Sequence, residues 1–167
     1  MKNITLLTLL MSTLMMLNQS ATATPKSGTV FKDWVAVCQT IPNTKQQHCH
    51  IQQTSSDRKT KKPVLHTLVG KLAAGKKQLV AIFVVPKLIG SKTKLRLAFS
   101  PKAYIDFPIE SCDKKRKECY GGLPLEKDIL KAFKKSKVAV FSYKQGKKTI
   151  AAPVSMMGIS AGLNAIK

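Results

Sequence analysis

Short apolar runs alternate with polar, turn-like stretches along most of this chain, which is the pattern of an antiparallel sheet. In the run that begins at Val30, Trp34 and Cys38 fall on one face, and we expect Trp34 in the core. In residues 95–99 apolar side chains alternate with Arg96, as in a sheet that has one wet face. Further strands are predicted at residues 48–54, 64–69, 78–85, 103–109, 138–143 and 149–155, and loops at 40–47, 55–62 and 144–148.

Helical signals occur at only two places. Residues 123–136 carry Glu126 early and Lys135 late, which complements the helix dipole, and Leu125, Ile129 and Phe133 recur every four positions. Residues 158–166 form a second, apolar candidate that could dock on the core. The sequence therefore predicts a mainly β protein, an antiparallel β-sandwich or barrel with one or two short helices packed on it.

The first 23 residues have the features of a secretory signal peptide. Lys2 supplies a positive start, residues 4–17 are apolar, and Ala21-Thr22-Ala23 is a small-residue cleavage site. A membrane anchor is the alternative, but the apolar stretch is shorter than the ~20 residues that span a bilayer. We expect residues 1–23 to be removed and residues 24–167 to form a single exported domain, in the periplasm, at the cell surface or secreted.

Four cysteines in an exported chain predict two disulfides, because the count is even and the compartment is oxidising. The sequence alone allows three pairings. We favour Cys38 with Cys49 and Cys112 with Cys119, because each pair flanks a polar segment between strand-like runs. A zinc site would favour C-x2-C spacing, so we interpret residues 112–119 as a closed loop with a solvated basic tip.

Charge is the unusual feature of the composition, with 29 basic against 8 acidic residues and a formal net charge of +21. Such a molecule is drawn to polyanions such as lipopolysaccharide or host-cell glycans. Lysines dominate and aromatic residues are not interleaved with them, which argues against sequence-specific nucleic-acid binding. A soluble surface without a binding role is the simpler alternative. The contact residues we predict are Arg58, Lys59, Lys61, Lys62, Lys114, Lys115, Arg116 and Lys117.

The sequence contains no recognisable catalytic motif. Asp106 and Glu110 are close in sequence, but chance explains such spacing. His48 and His50 flank Cys49 and would share one face of a strand, which permits a metal site, although we interpret them as ordinary histidines. We therefore predict no catalytic residues, no metal and no cofactor, and hence no enzyme. A concave pocket with converging polar side chains would instead favour an enzymatic function.

The sequence resembles the bacterial invasion-associated locus B family over nearly the whole predicted mature chain. The marks are Trp34 followed by Cys38, and the paired cysteines in "FPIESCDKKRKECYGG" before the helix. Glu118 stands where the family often has glycine, Gly158-Ile159 replaces Gly-Phe, and the pattern at Pro86 is loose. The resemblance implies an exported, non-enzymatic β-rich protein associated with bacterial entry into host cells or persistence within them. It supplies no catalytic residues.

Two functions remain open from the sequence. One is a binding protein that presents lysine-rich loops to an anionic host-cell or envelope surface. The other is a periplasmic structural or stress-protection factor without direct host contact. Surface exposure on intact cells favours the first, and strictly periplasmic protein favours the second.

Overall fold

Two antiparallel sheets form the body of the protein, one of seven strands and one of four. The structure, a computed structural model, describes residues 24–42, 47–57, 60–71, 78–86 and 93–166. The predicted signal peptide, residues 1–23, lies outside the described residues. Two sheets with two short helices and two disulfides confirm the predicted fold class, in its sandwich form.

The larger sheet has its strands in the order β1-β2-β3-β4-β5-β9-β8. Neighbouring strands are antiparallel throughout. The strands are β1 (Val30–Phe31), β2 (Trp34–Thr40), β3 (Gln47–Ser56), β4 (Pro63–Lys71), β5 (Leu79–Pro86), β9 (Glu118–Pro124) and β8 (Ser111–Asp113).

The smaller sheet has the order β11-β10-β6-β7. One half of it is the hairpin of β10 and β11, which turns at Gly146, where φ is +60° and glycine is favoured. The sequence predicted this turn. The strands are β11 (Lys148–Ser155), β10 (Val138–Gln145), β6 (Lys94–Ser100) and β7 (Ala103–Pro108).

Aromatic side chains join the inner faces of the two sheets. The ring of Phe83 on β5 stacks on Phe141 of β10 with centroids 5.0 Å apart, and Phe107 of β7 lies 5.2 Å from Phe83. Phe83 and Phe141 are fully buried. Each such ring removes a large apolar area from water, and the offset contacts add about 0.5–1.5 kcal/mol beyond burial. Trp34 is also fully buried, as the sequence predicted.

Hydrogen bonds fasten one edge of the sandwich. The indole N–H of Trp34 and the amide of Gln53 both donate to the carbonyl of Ser155, at 3.0 and 2.7 Å. The hydroxyl of Ser55 donates to the carbonyl of Pro153 at 2.5 Å. As β3 proceeds from Gln53 to Ser55 its partner moves from Ser155 back to Pro153, so β11 runs antiparallel to β3 across this edge.

Two helices cover the end of the sandwich at which β9 finishes. Helix α1 (Lys127–Lys135) buries Phe133, which meets Phe99 edge-on at 5.6 Å between centroids. Helix α2 (Ile159–Ala165) buries Ile159 and Leu163 against the larger sheet. Within the described residues, no helix has both the length and the apolar character needed to cross a membrane.

Three local predictions were wrong. The first predicted strand is broken at Lys32, which has φ +57°, so that β1 folds back on β2. Ser55 was predicted to lie in an exposed loop, but β3 extends to Ser56 and Ser55 is buried through its bond to β11. Strand β9 was missed, and the helix accordingly begins at Lys127 instead of Leu123.

Replacing Phe83 by alanine should destabilise the protein by about 3–5 kcal/mol, because it removes a fully buried ring from the contact between the sheets. Chemical denaturation followed by circular dichroism measures this loss. F83L, which keeps most of the apolar volume, should lose less. Equal, small losses in both variants would contradict the central role of this ring.

Candidate functional site

Antiparallel pairing brings several turns of the larger sheet to one end. Strand β3 ends at Ser56, β4 begins at Pro63, β5 ends at Pro86 and β9 begins at Glu118. Ser56 pairs with Pro63, and Pro86 with Glu118. The β3–β4 loop at 57–62, of which the structure describes residues 57 and 60–62, and the β8–β9 turn at 114–117 therefore lie at the same end of this sheet.

The smaller sheet adds its own turn to that end. Because β11 is antiparallel to β3, the beginning of β11 at Lys148 lies on the side where β3 finishes. The β10–β11 turn at 146–147 therefore joins the loop at 57–62 and the turn at 114–117. We call this region the hairpin end, and the opposite region, which carries α1, the helix end.

The β8–β9 turn presents four exposed basic residues at its tip, Lys114, Lys115, Arg116 and Lys117. A carboxylate oxygen of Asp113 accepts hydrogen bonds from the backbone N–H of Lys115 at 2.7 Å and of Arg116 at 3.1 Å. Lys117 closes the turn with φ +56°. One oxygen of the Asp113 carboxylate therefore serves the turn, and the other lies 3.9 Å from the guanidinium of Arg116. All four basic residues of the tip are nevertheless exposed.

A disulfide holds the base of this turn. Cys112 and Cys119 are directly opposite across β8 and β9 and are bonded, and Cys38 and Cys49 occupy the same relation across β2 and β3. The favoured pairing is confirmed. On the chain-entropy account each bond stabilises the fold by about 2.5–3 kcal/mol.

The second predicted contact segment lies beside the first. Lys61 and Lys62 are exposed, and their loop is closed by backbone bonds of 2.9 Å between Asp57 and both lysines. Pro63, the next residue, lines a groove of about 270 Å³ together with Arg116 and Lys117. The structure thus brings these two segments together, although they are far apart in sequence. Arg58 and Lys59 lie outside the described residues.

Positive charge is not confined to the hairpin end. Helix α1 at the helix end exposes four lysines on its surface. Net charge alone therefore does not select a contact surface. What distinguishes the hairpin end is that its basic residues stand on turns fixed by a disulfide and by side-chain bonds. The four helix lysines are Lys127, Lys131, Lys134 and Lys135.

A groove of about 680 Å³ lies on the smaller sheet beside Lys94, Arg96 and Lys144. Among the described residues that line it, the one carboxylate is that of Asp106, which accepts two hydrogen bonds from Arg96 at 2.7 and 2.8 Å. The hydrogen bonds from Arg96 lower the pKa of Asp106, so this carboxylate stays ionised and bound to the guanidinium. The groove contains several polar side chains, but its carboxylate is bound by the arginine instead of being poised to transfer a proton.

The two histidines beside Cys49 lie on one face of β3. The sequence predicted that His48 and His50 share one face of a strand, and both line a groove on the outer face of the larger sheet, where His50 pairs with Gly70. Partial burial lowers the pKa of His50, and the nearby His48 lowers it further. Among the described residues no group of three or more His, Cys, Asp or Glu side chains is close enough together to hold a metal ion.

Sequence reasoning missed the cluster formed by Arg96, Asp106 and Tyr104. The guanidinium of Arg96 lies 4.0 Å from the centroid of the Tyr104 ring while it binds Asp106. Strands β6 and β7 place these residues side by side through their register. The only sequence signal was their outward position on two predicted strands joined by a short turn.

His50 should make stability depend on pH. Its pKa is lowered in the folded protein, so the unfolded chain takes up a proton first as pH falls below about 6.5, and folding stability is lost there. H50Q should flatten this part of the stability curve. Denaturation midpoints of H50Q and the unaltered protein, measured between about pH 8 and 5, test this. The difference between the two proteins at about pH 8 gives the part of the stability change that does not depend on pH. An unchanged slope would contradict it.

Comparisons with known proteins agree with this architecture. The family model described as invasion associated locus B (IalB) protein matches residues 34–167. A crystal structure of invasion associated protein b from Bartonella henselae is similar, with a TM-score of 0.67 and 19% identity, over 83% of this chain and 92% of that one. No curated protein matches the chain. Since the family model covers most of its length, this chain belongs to the invasion associated locus B family.

Proposed function

We propose that this chain is an exported binding protein that uses its hairpin end to hold an anionic surface of the host cell or of the bacterial envelope. The observation that carries the proposal is the disulfide-based turn at 114–117, whose four basic side chains are all exposed. The name of the family and of the similar Bartonella henselae protein, invasion associated, supports a role in contact with host cells.

The geometry of the turn favours binding through charge. The disulfide and the Asp113 hydrogen bonds fix the backbone before any ligand arrives, so that binding orders only the side chains. Lysine is a hydrated point charge, which suits dense anions such as sulfated glycans or lipopolysaccharide phosphates better than a defined planar group. The exposed Lys61 and Lys62 immediately precede Pro63, which lines the groove beside Arg116, and they add to the positive charge of this end.

Binding accounts for these residues better than catalysis does. The four basic residues of the tip are exposed, whereas catalytic groups work in concave, water-excluding sites. The larger groove on the smaller sheet has its carboxylate bound by Arg96. We therefore assign the protein a non-enzymatic role.

Export is the second part of the proposal, and two features support it. The N-terminal 23 residues have the composition of a signal peptide, and both disulfides require an oxidising compartment to persist. When the full chain is produced in a bacterium, mass spectrometry of the purified protein should find Thr24 at its N-terminus. Protein that retains Met1 and free thiols would contradict export.

The binding claim is tested by removing the four charges of the tip. At about 1 kcal/mol per basic residue near an anionic surface, the variant should bind immobilised heparin and lipopolysaccharide at least about tenfold more weakly, with a flatter dependence on salt. Asparagine is chosen at position 117 because it tolerates positive φ. The substitutions are K114Q, K115Q, R116Q and K117N.

A matched control removes the same number of charges from the helix end, where α1 exposes four lysines. This control should retain most of the heparin affinity of the unaltered protein. Equal losses in the two variants would show that net charge alone governs binding and would remove the hairpin end from the proposal. Protease accessibility on intact cells then separates a surface role from a strictly periplasmic one. The control substitutions are K127Q, K131Q, K134Q and K135Q.

A further inference from the structure

Apolar side chains form an exposed row across the smaller sheet. Alternation along each strand puts one residue set on the core and the other on the outer face. The registers of the sheet align four of the outer residues directly opposite one another, from one edge to the other. The residues of this apolar row are Pro153, Val140, Ala98 and Tyr104.

The row belongs to the most exposed apolar surface of the described chain. Of the five large apolar side chains that are exposed, three lie on this face: Tyr104 at 50%, Val138 at 49% and Val140 at 46%. Strand β10 is apolar on its inner face as well, since Ala139 and Phe141 are buried there. A strand apolar on both faces is typical of a sheet that is covered on both sides. We therefore expect the outer face to have a partner.

Lysines border this face on two sides. Lys94 and Lys144 are exposed and stand four residues along their strands from the apolar row, roughly 13 Å away. On the other side, the exposed Lys102 and Lys137 immediately precede β7 and β10. The four strands contain a single carboxylate, Asp106, which Arg96 occupies. The partner should therefore be apolar and negatively charged.

Tyr104 occupies the edge of the apolar row in a fixed position. The guanidinium of Arg96 lies over its ring at 4.0 Å and is itself anchored by Asp106. A tyrosine has an apolar ring and a polar hydroxyl, and such side chains are enriched where a bilayer meets water. Lysines extend apolar stems while their ammonium groups reach the phosphate level.

We propose that the outer face of the smaller sheet is a membrane-contact surface that lies on bilayers containing anionic phospholipids. Val138, Val140 and Tyr104 enter the interfacial region, and the bordering lysines contact lipid phosphates. The groove between Lys94 and Lys144, which Thr149 also lines, offers ammonium and hydroxyl groups to a headgroup. A second copy of this basic chain is disfavoured as the occupant, because it would bring like charges together.

This surface is distinct from the turn at 114–117 and can be tested separately. Threonine at positions 138 and 140 keeps the β-branched shape and every charge while it lowers hydrophobicity. The exported protein, with its N-terminus verified by mass spectrometry, is sedimented with vesicles of phosphatidylcholine and phosphatidylglycerol. V138T/V140T should reduce partitioning about fivefold or more and abolish the fraction that resists high salt. Heparin affinity should stay unchanged, because no charge is lost.

The control is V30T/M157T, which alters the other two exposed large apolar side chains and should bind vesicles normally. A tryptophan reporter locates the contact: fluorescence of V140W should shift to the blue on vesicles and be quenched by brominated lipid, whereas V30W should not respond. Vesicle binding of V138T/V140T at the unaltered level would overturn the proposal. So would a dimer in sedimentation equilibrium that V138T/V140T dissolves, because the face would then be an interface between copies.

Failure of this proposal can be told apart from failure of the proposed function. If the 114–117 turn does not bind polyanions, the four-charge variant at the tip retains heparin affinity, whatever happens on vesicles. If the sheet face does not contact lipid, V138T/V140T behaves normally on vesicles, whatever happens on heparin. Circular dichroism checks that each variant is folded.

Discussion

Contact between the inner faces of the two sheets, centred on the stacked rings of Phe83 and Phe141, determines where the loops of this protein lie. Once the sheets are joined there, the bonds from Gln53 and Ser55 to β11 fix the direction of one sheet against the other. The hairpin end and the outer face of the smaller sheet both follow from this arrangement. Neither surface exists in the separate strands.

The parts of the fold that depend on local pattern could be predicted from the sequence. Alternation located most strands, the disulfide pairing followed from turn-like segments between them, and the apolar spacing of Leu125, Ile129 and Phe133 located the helix. These signals need only neighbouring residues, because side-chain periodicity is set by the backbone of a single element.

Strand β9 could not be predicted in this way, because the contacts that determine its residues are made with parts of the chain outside the strand. Gly121 and Gly122 are not typical strand residues, yet they sit in the sheet next to β5. A side chain at Gly121 would meet Leu95 and come within 2.9 Å of the Pro108 carbonyl, and one at Gly122 would lie 2.9 Å from the Glu110 carboxylate. Glycine is needed for close approach here, which only the assembled sandwich reveals.

The same division applies to the candidate sites. The sequence identified basic segments but could not show that Pro63, next to Lys62, and Arg116 border one groove, because that depends on strand order. The apolar row needed the registers of four strands. One local signal was available. Val138 and Val140 alternate with Ala139 and Phe141, so neither face of β10 carries a polar side chain over that stretch.

The position of the Cys112–Cys119 bond has a mechanical consequence. It ties the base of the basic turn to β9, which is paired with β5 along seven residues in the interior of the larger sheet. A pulling force applied at the tip by a moving cell would act along the strand axis. The backbone hydrogen bonds between β9 and β5 would therefore bear this force together, in shear. A turn connected to the sheet in this way resists being peeled from it one hydrogen bond at a time.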